Sequence, residues 1–389
     1  MAGAYAQLNP SPRLLLGPGP SQISPRVLRA SAAPLLGYLD PEYLRLMDET
    51  QTLLRRVFAT ENEWTMCVPG TGMAGMEAAL INVLEPGDEA LVCVHGAFGE
   101  RMANICARAG LAVRRVDAAW GAAVQPEQVA EALRAGRPKV VAIVHAETST
   151  GVLQPLEEIA GLAREAGALF LVDCVTSLGG MPVEVDATGI DVAYSGTQKC
   201  LGAPPSLSPL TMSPRAVESF KARTRPVPSF YLDAGEIMRY WGPERAYHQT
   251  GMITMLYALR EALVEIAEEG LEARYARHRA NQRALVAGLE GLGLRLAVQD
   301  PAVRLPSLTT VMVPEGVQDG AIRSGLLAQY GIEIGGGLGQ FAGRAWRIGL
   351  MGYASQRGNV MLLLSALADL LKNERIDEAL AAASSVYRG

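Results

Sequence analysis

Lysine is nearly missing from this sequence. Of 35 basic residues only four are lysines, Lys139, Lys199, Lys221 and Lys372. Each one is therefore worth questioning, because a lysine can lose its proton and act as a nucleophile while an arginine effectively cannot. Cysteine is scarce too. Cys67, Cys93, Cys106, Cys174 and Cys200 are an odd number with no C-x-x-C spacing, which argues against a zinc ribbon or a disulfide framework and for a reducing, cytoplasmic setting. His95, His145, His248 and His278 are dispersed without ligand spacing, so no metal site is expected. No apolar run approaches the roughly 18–20 residues of a membrane span. Met1 to Pro12 has neither the basic nor the apolar region of a secretory signal, and Tyr387-Arg388-Gly389 is not a peroxisomal address. A net charge of −5 and a pI near 5.6 lie far from the basic range, above about 9, of a nucleic-acid binder. Neither a membrane nor a nucleic acid is an expected partner.

What the chain has in quantity is apolar side chain. It is 49% hydrophobic and 19% charged over 389 residues, at the top of the globular range of about 45–50%. Disorder is excluded as the dominant state, and the length suffices for two or more domains at roughly 100–200 residues each. Short apolar runs at Ala90–Val94, Val140–His145, Ala168–Asp173 and Asp191–Tyr194 read as buried parallel strands. Helical patterns at Gly75–Val83, Gln128–Ala135 and Leu156–Ala166 separate them. This alternation predicts βαβ units and a sheet covered on both faces.

Beyond residue 255 the pattern turns helical, with Leu256, Leu259, Leu263 and Ile266 at helical spacing and a second amphipathic stretch from Leu271. Thr309–Val313 and Trp346–Gly349 read as strands of a smaller α+β layer, followed by a helix over Val360–Leu371. The tail after Lys372 reads either as a docked helix or as a fraying end. We divide the chain into an N-terminal segment 1–20, a large α/β domain 21–253 with a mostly parallel central sheet, and a small C-terminal domain 254–389.

Three features carry chemistry. Asp173 ends an apolar strand directly, and in open α/β sheets ligands bind beyond the carboxyl ends of strands; an aspartate there can equally cap the next helix. Lys199, one of the four lysines, follows Ser195-Gly196-Thr197-Gln198 at another strand end. Most lysines are solvated surface residues. A lysine and an aspartate on nearby strand ends are nevertheless the parts a pyridoxal phosphate enzyme uses, the amine for the cofactor aldehyde and the carboxylate for the pyridinium nitrogen. The glycine-rich turn Pro69-Gly70-Thr71-Gly72-Met73-Ala74-Gly75 precedes a helix and offers free N–H groups to a phosphate. It is neither a Walker motif nor a full dinucleotide fingerprint, which opposes a nicotinamide oxidoreductase. The cluster Gly335-Gly336-Gly337-Leu338-Gly339 reads as a turn or loop.

From Leu16 to about Leu371 the chain resembles the class V aminotransferases, pyridoxal phosphate enzymes of fold type I, and within them the alanine–glyoxylate and serine–pyruvate aminotransferases. The resemblance is carried by Leu16-Gly17-Pro18-Gly19-Pro20, Gly70-Thr71-Gly72, Glu147-Thr148-Ser149-Thr150-Gly151-Val152, Val172-Asp173, Tyr194-Ser195-Gly196-Thr197-Gln198-Lys199, Tyr231-Leu232-Asp233 and Arg347-Ile348-Gly349-Leu350. It implies that Lys199 is the Schiff-base lysine and proton carrier, and Asp173 the partner of the ring nitrogen. Thr71, Gly72 and Met73 with Gln198 would form the phosphate cradle. Thr148 would bond the cofactor's phenolic oxygen, and Phe98, where the family often has tryptophan, would cover one ring face with Val175 on the other.

Arg347 would clamp the substrate carboxylate. Tyr247 and Thr250 would reach the phosphate from a neighbouring subunit, making the active site complete only in a homodimer. The expected activity is transfer of an amino group from alanine, or serine, to glyoxylate. A related ureidoglycine-using enzyme carries amides where this sequence has Tyr38 and Tyr247, which ranks that donor lower. A non-catalytic pyridoxal phosphate-binding protein is the remaining alternative, though no DNA-binding segment is visible to favour it. In cysteine desulfurases the reactive thiol lies on a distant mobile loop, and no cysteine follows Cys200 here, so Cys200 reads as a packing residue.

Overall fold

The computed structural model describes residues 8–388. Seven strands form the central sheet in the spatial order Trp64–Pro69, Leu207–Met212, Val192–Tyr194, Leu169–Asp173, Val140–Val144, Glu89–Val94, Ala112–Asp117. Leu207–Met212 runs against both its neighbours, and the remaining contacts are parallel. The inner strands are buried on both faces, Val140–Val144 and Leu169–Asp173 at every position. That explains why they read as continuous apolar runs rather than alternations. Helices pack on the sheet as the alternating pattern required, and the four strands expected from sequence stand within one residue of their expected ends.

Other elements were silent in the sequence pattern. The helix Pro41–Phe58 buries Tyr43, Met47, Leu54 and Phe58, starts on an Asp40 side chain that accepts the Glu42 N–H, and carries Arg55 and Arg56 in its last turn, as a helix dipole favours. The strand Ala112–Asp117 was missed because its edge position leaves it mostly charged and half-exposed. The strand Leu207–Met212 carries two polar residues and a proline, which masks its burial.

The expected domain boundary at 254 can be set beside the two cores. It falls at the start of the helix Ile253–Glu269, whose Leu256, Leu259, Leu263 and Ile266 are buried in the large core together with Val27, Tyr43 and Leu54. Each such side chain contributes about 1.5–3 kcal/mol on burial, so this helix belongs to the large unit. By core membership the boundary falls at Gly270, where a φ of 81° breaks the helical run before Leu271–Gly291 begins; glycine adopts that conformation without Cβ strain.

Of the expected N-terminal segment 1–20, residues 1–7 lie outside the described residues, and Leu14 and Leu16 pack with the second core. Leu14 and Leu15 pair in parallel with Ile332 and Glu333, and Leu16 is buried in the second core. The first residues described therefore tie the small unit to the strand ends of the large one. Its sheet orders Leu308–Met312, Ala345–Gly349 and Gly335–Gly336. Gly335–Gly336, expected as a turn or loop, is a two-residue edge strand paired with Arg347 and Trp346. The tail is a docked helix, Ile376–Val386, with Ala379 and Ala383 buried against the second core. Among the described residues no helix is long and apolar enough to cross a membrane.

Candidate active site

Asp173 is the last residue of its strand and is 2% exposed. Its carboxylate accepts the Val175 N–H at 2.8 Å and the Tyr194 hydroxyl at 2.7 Å. Among the described residues no basic side chain forms an ion pair with it. Burial raises its pKa to about 6, opposed by the Tyr194 and Val175 donors, while Glu147 pushes it further up and Lys199 pulls it down. A buried carboxylate without a cation is costly, and this one faces a cleft.

Lys199 stands in the loop leaving the adjacent strand Val192–Tyr194 and is 9% exposed. Its Nζ donates to the Pro18 carbonyl, and its own carbonyl accepts the Ser21 hydroxyl at 2.7 Å. The N-terminal Gly-Pro-Gly-Pro turn thus forms the floor under the lysine. A Cβ on Gly19 would lie 2.7 Å from Nζ, and Gly19 has a φ of 117°, so both space and backbone require glycine there. Burial pushes the lysine pKa down to about 8, helped by the positive charge of Arg347 and opposed by Cys200, Asp173 and Glu147. About a tenth of an amine so placed is neutral at pH 7, far more than of an ordinary lysine, which favours a nucleophile or base.

The helix Gly72–Val83 begins at the cleft. Thr71 occupies its N-cap position but makes no side-chain capping bond, which leaves the hydroxyl and the first helical amides for a ligand. Backbone approaches closely here: a Cβ on Gly196 would meet the Gln198 Oε1 at 2.8 Å and the Gly72 nitrogen at 3.3 Å. The Gln198 Oε1 is buried with no hydrogen-bond partner, so its amide has unused capacity beside that helix end. Thr71, Gly72, Met73 and Gln198 line one side of a cleft of about 170 Å³. Phe98, Thr148, Val175, Asp173 and Lys199 line the rest, together with Met76 and Arg101.

Arg347 stands beside this cleft, in the middle of the strand Ala345–Gly349, and is 7% exposed. Its Nε donates to the Gly336 carbonyl at 2.7 Å and its Nη1 to the Thr148 carbonyl at 3.2 Å. Among the described residues no carboxylate pairs with it, and burial lowers its pKa to about 10, with Glu147 opposing. Tyr247 and Thr250 are exposed and lie outside the cleft of their own chain. The Tyr247 ring centroid is 4.9 Å from that of Tyr38, and its hydroxyl is 3.4 Å from the Thr250 hydroxyl. Cys200 is buried, donates its thiol to the Thr176 carbonyl, and has its pKa pushed up to about 11 by burial; it is a packing residue in this geometry.

Two supporting residues went unrecognised in the sequence. Glu147, fully buried, accepts the N–H groups of Phe98 and Gly99. Arg274, 6% exposed, donates to the carbonyls of Gly179 and Cys200, at 2.8 Å each, and pairs with Glu269. The N–H groups and carbonyls just named lie 48 to 95 positions away, beyond the reach of any local pattern.

A mostly parallel sheet with a buried lysine and aspartate at neighbouring strand ends, and an unpaired arginine contributed by a second sheet, defines an enzyme of the amino-group-transferring class. Residues 17–354 match the aminotransferase class V family, and the chain belongs to that family. It is 49% identical to the alanine–glyoxylate aminotransferase of Nostoc sp., whose crystal structure covers 94% of this chain and is itself covered to 98%, with a TM-score of 0.91. The ureidoglycine–glyoxylate aminotransferase structure from Bacillus subtilis is 41% identical over 99% of this chain and 100% of its own, with a TM-score of 0.95. The alanine–glyoxylate aminotransferase of Callithrix jacchus is 44% identical over 93% of this chain and 88% of its own. The chain is therefore an aminotransferase, and the family implies pyridoxal phosphate as its cofactor. The nicotinamide and non-catalytic alternatives fall with that membership.

Proposed function

We propose that this aminotransferase passes the amino group of alanine or serine to glyoxylate, using pyridoxal 5'-phosphate held in the cleft of Asp173 and Lys199. One observation carries the reading: among the described residues, a buried amine and a buried carboxylate with no cation of its own line one cleft, and a buried guanidinium with no carboxylate of its own stands beside it, bonded to the carbonyl of the cleft-lining Thr148. The residues present fit the cofactor. Asp173 lacks the positive partner a protonated ring nitrogen would supply. The first amides of the Gly72–Val83 helix have no side-chain cap, and there a phosphate gains from both donors and dipole.

When bound, the cofactor supplies an electrophilic carbonyl carbon and an electron-withdrawing ring. Everything else falls to the chain. Lys199 Nζ would hold the cofactor's carbonyl carbon, and as a free amine it would take and return the proton of the substrate Cα. Asp173 keeps a proton on the ring nitrogen; in a low-dielectric site its charge acts strongly. Phe98 and Val175 would cover the two ring faces, Thr148 would donate to the phenolic oxygen, and Thr71, Gly72, Met73 and Gln198 would hold the phosphate. Arg347 offers parallel N–H groups to the substrate carboxylate and so orients the Cα–H. Tyr247 and Thr250, exposed and outside their own cleft, reach the phosphate of a second copy, so the working form is a homodimer. The buried cysteines, none of them disulfide-bonded, support a cytoplasmic setting.

Glyoxylate has no side chain, so its site needs the Arg347 clamp and little else. A second reading, ureidoglycine as donor, draws on the Bacillus subtilis relative, 40% identical over 96% of this chain. The tilted Tyr38–Tyr247 ring pair ranks it lower, because phenol rings replace the amides that would read a ureido group. Keto-acid formation from alanine, serine and ureidoglycine, each with glyoxylate, tests this directly. Alanine or serine should exceed ureidoglycine in kcat/KM by at least about tenfold, the worth of one good polar contact. The opposite order would replace this reading with the second.

A further inference from the structure

The helix Ala97–Arg108 carries Phe98 in its first turn, and its own N-cap residue has no side chain to offer. Gly96 stands there because a Cβ would lie 2.4 Å from the Glu147 Cγ. The capping is supplied instead from another part of the chain. Ser149 Oγ accepts the Ala97 N–H at 2.8 Å, and Glu147 Oε2 accepts the N–H groups of Phe98 at 3.1 Å and Gly99 at 3.3 Å. The other oxygen, Oε1, accepts the Ser149 N–H at 3.0 Å and the Ser149 hydroxyl at 2.6 Å.

This is an expensive way to cap a helix. The Glu147 side chain is fully buried and makes no ion pair among the described residues; a Ser or Asp at the N-cap would do the same work in water. What the costlier device adds is a rigid link. Glu147 directly precedes Thr148, whose carbonyl holds Arg347, so ring, hydroxyl and guanidinium are referred to one buried turn. The Arg101 guanidinium, which also lines the cleft, sits 4.8 Å from the Phe98 ring centroid, with its Nη1 3.8 Å from the Met73 sulfur. A phenyl ring covers less area than an indole and gains more from being held on both sides.

We propose that Glu147 is the positioning residue for the aromatic cover of the cofactor, acting through the first amides of the Phe98 helix. This rests on the assignment of Phe98 as that cover. Its carboxylate also lies within the electrostatic range of Asp173, Lys199 and Arg347, each of whose ionisation it influences.

The test uses the full chain loaded with pyridoxal phosphate, and the variants E147Q, S149A, F98L and the double variant E147Q/F98L. Cofactor retention is measured by dialysis, the visible absorption band by spectroscopy, and the melting temperature of cofactor-free protein separately. E147Q should lose roughly ten- to hundredfold in cofactor retention, the scale of hydrogen bonds to a charged group, and should shift the visible band. In the F98L background the same substitution should cost less than about threefold, because the two residues act as one unit. Equal losses in both backgrounds, or unchanged retention in E147Q, overturn the proposal. Should E147Q fail to fold, S149A removes the Ala97 acceptor and one donor to Glu147, and is expected to move retention in the same direction by a few-fold; retention equal to the parent then overturns it. If F98L retains the cofactor as the parent does, the assignment of Phe98 fails rather than the capping role. If the parent binds no cofactor, the proposed function itself fails.

Discussion

The two walls of the cleft are built to different rules. On the cofactor side, Asp173, Lys199 and the Gly72 helix end follow directly from apolar strands of the seven-stranded sheet, and each side chain enters the site because its strand stops there. On the substrate side, Arg347 sits in mid-strand of a separate sheet. It reaches the site because Gly335–Gly336 forms the neighbouring edge and Gly336 offers its carbonyl. The first wall is a property of one core; the second exists only when two cores dock. Under the proposed function the reacting groups stand on the first and the carboxylate clamp on the second.

If that division holds, damage to the first wall should fall on the chemical step, and damage to the second on substrate binding. Lys199→Ala should cost the most, roughly 10⁴-fold in steady turnover, with loss of the visible band; colour and turnover both surviving would erase the distinction. Asp173→Asn should lower kcat by about 10²–10³-fold with little change in KM, as loss of a preorganised electrostatic partner does. A KM-only effect would move Asp173 to the other wall. Arg347→Lys keeps the charge but not the planar fork. It should raise KM for both amino and keto acids by roughly ten- to fiftyfold while kcat changes much less.

The smallest effect joins the walls. In cofactor-free protein the Lys199 amine, with its pKa lowered to about 8, is protonated below that pH and free above it. Capture of pyridoxal phosphate should therefore be about tenfold slower at pH 7 than on the alkaline plateau. Burial is the larger cause and Arg347 the second, so Arg347→Met should move the midpoint upward, toward an ordinary amine. A midpoint that stays in place would make the walls electrically independent.

The same contrast explains what the sequence disclosed. Strands buried on both faces announce themselves as apolar runs, and the residues that end them are marked by position, so Asp173, Lys199 and the Gly70-Thr71-Gly72 turn could be picked out from the residues. Arg347 could not: it is one arginine among 31, and only the family resemblance singled it out. Glu147 and Arg274 were illegible because their partners are backbone groups far along the chain. The helix Ile253–Glu269 was legible as a helix but not as part of the large core, since periodicity tells which face is buried and not against what. The pairing of Leu14–Leu15 with Ile332–Glu333 left no trace in either segment. Tyr247 and Thr250 stand outside their own cleft, so the role proposed for them requires a second copy.

The central claim is a covalent bond between one of four lysines and the cofactor. Reducing the cofactor-loaded protein with borohydride and mapping the modified peptide by mass spectrometry tests it most directly. The account predicts the added mass on Lys199 alone, in the peptide that also contains Gln198 and Cys200. Modification at Lys139, Lys221 or Lys372, or none at any lysine, would contradict it.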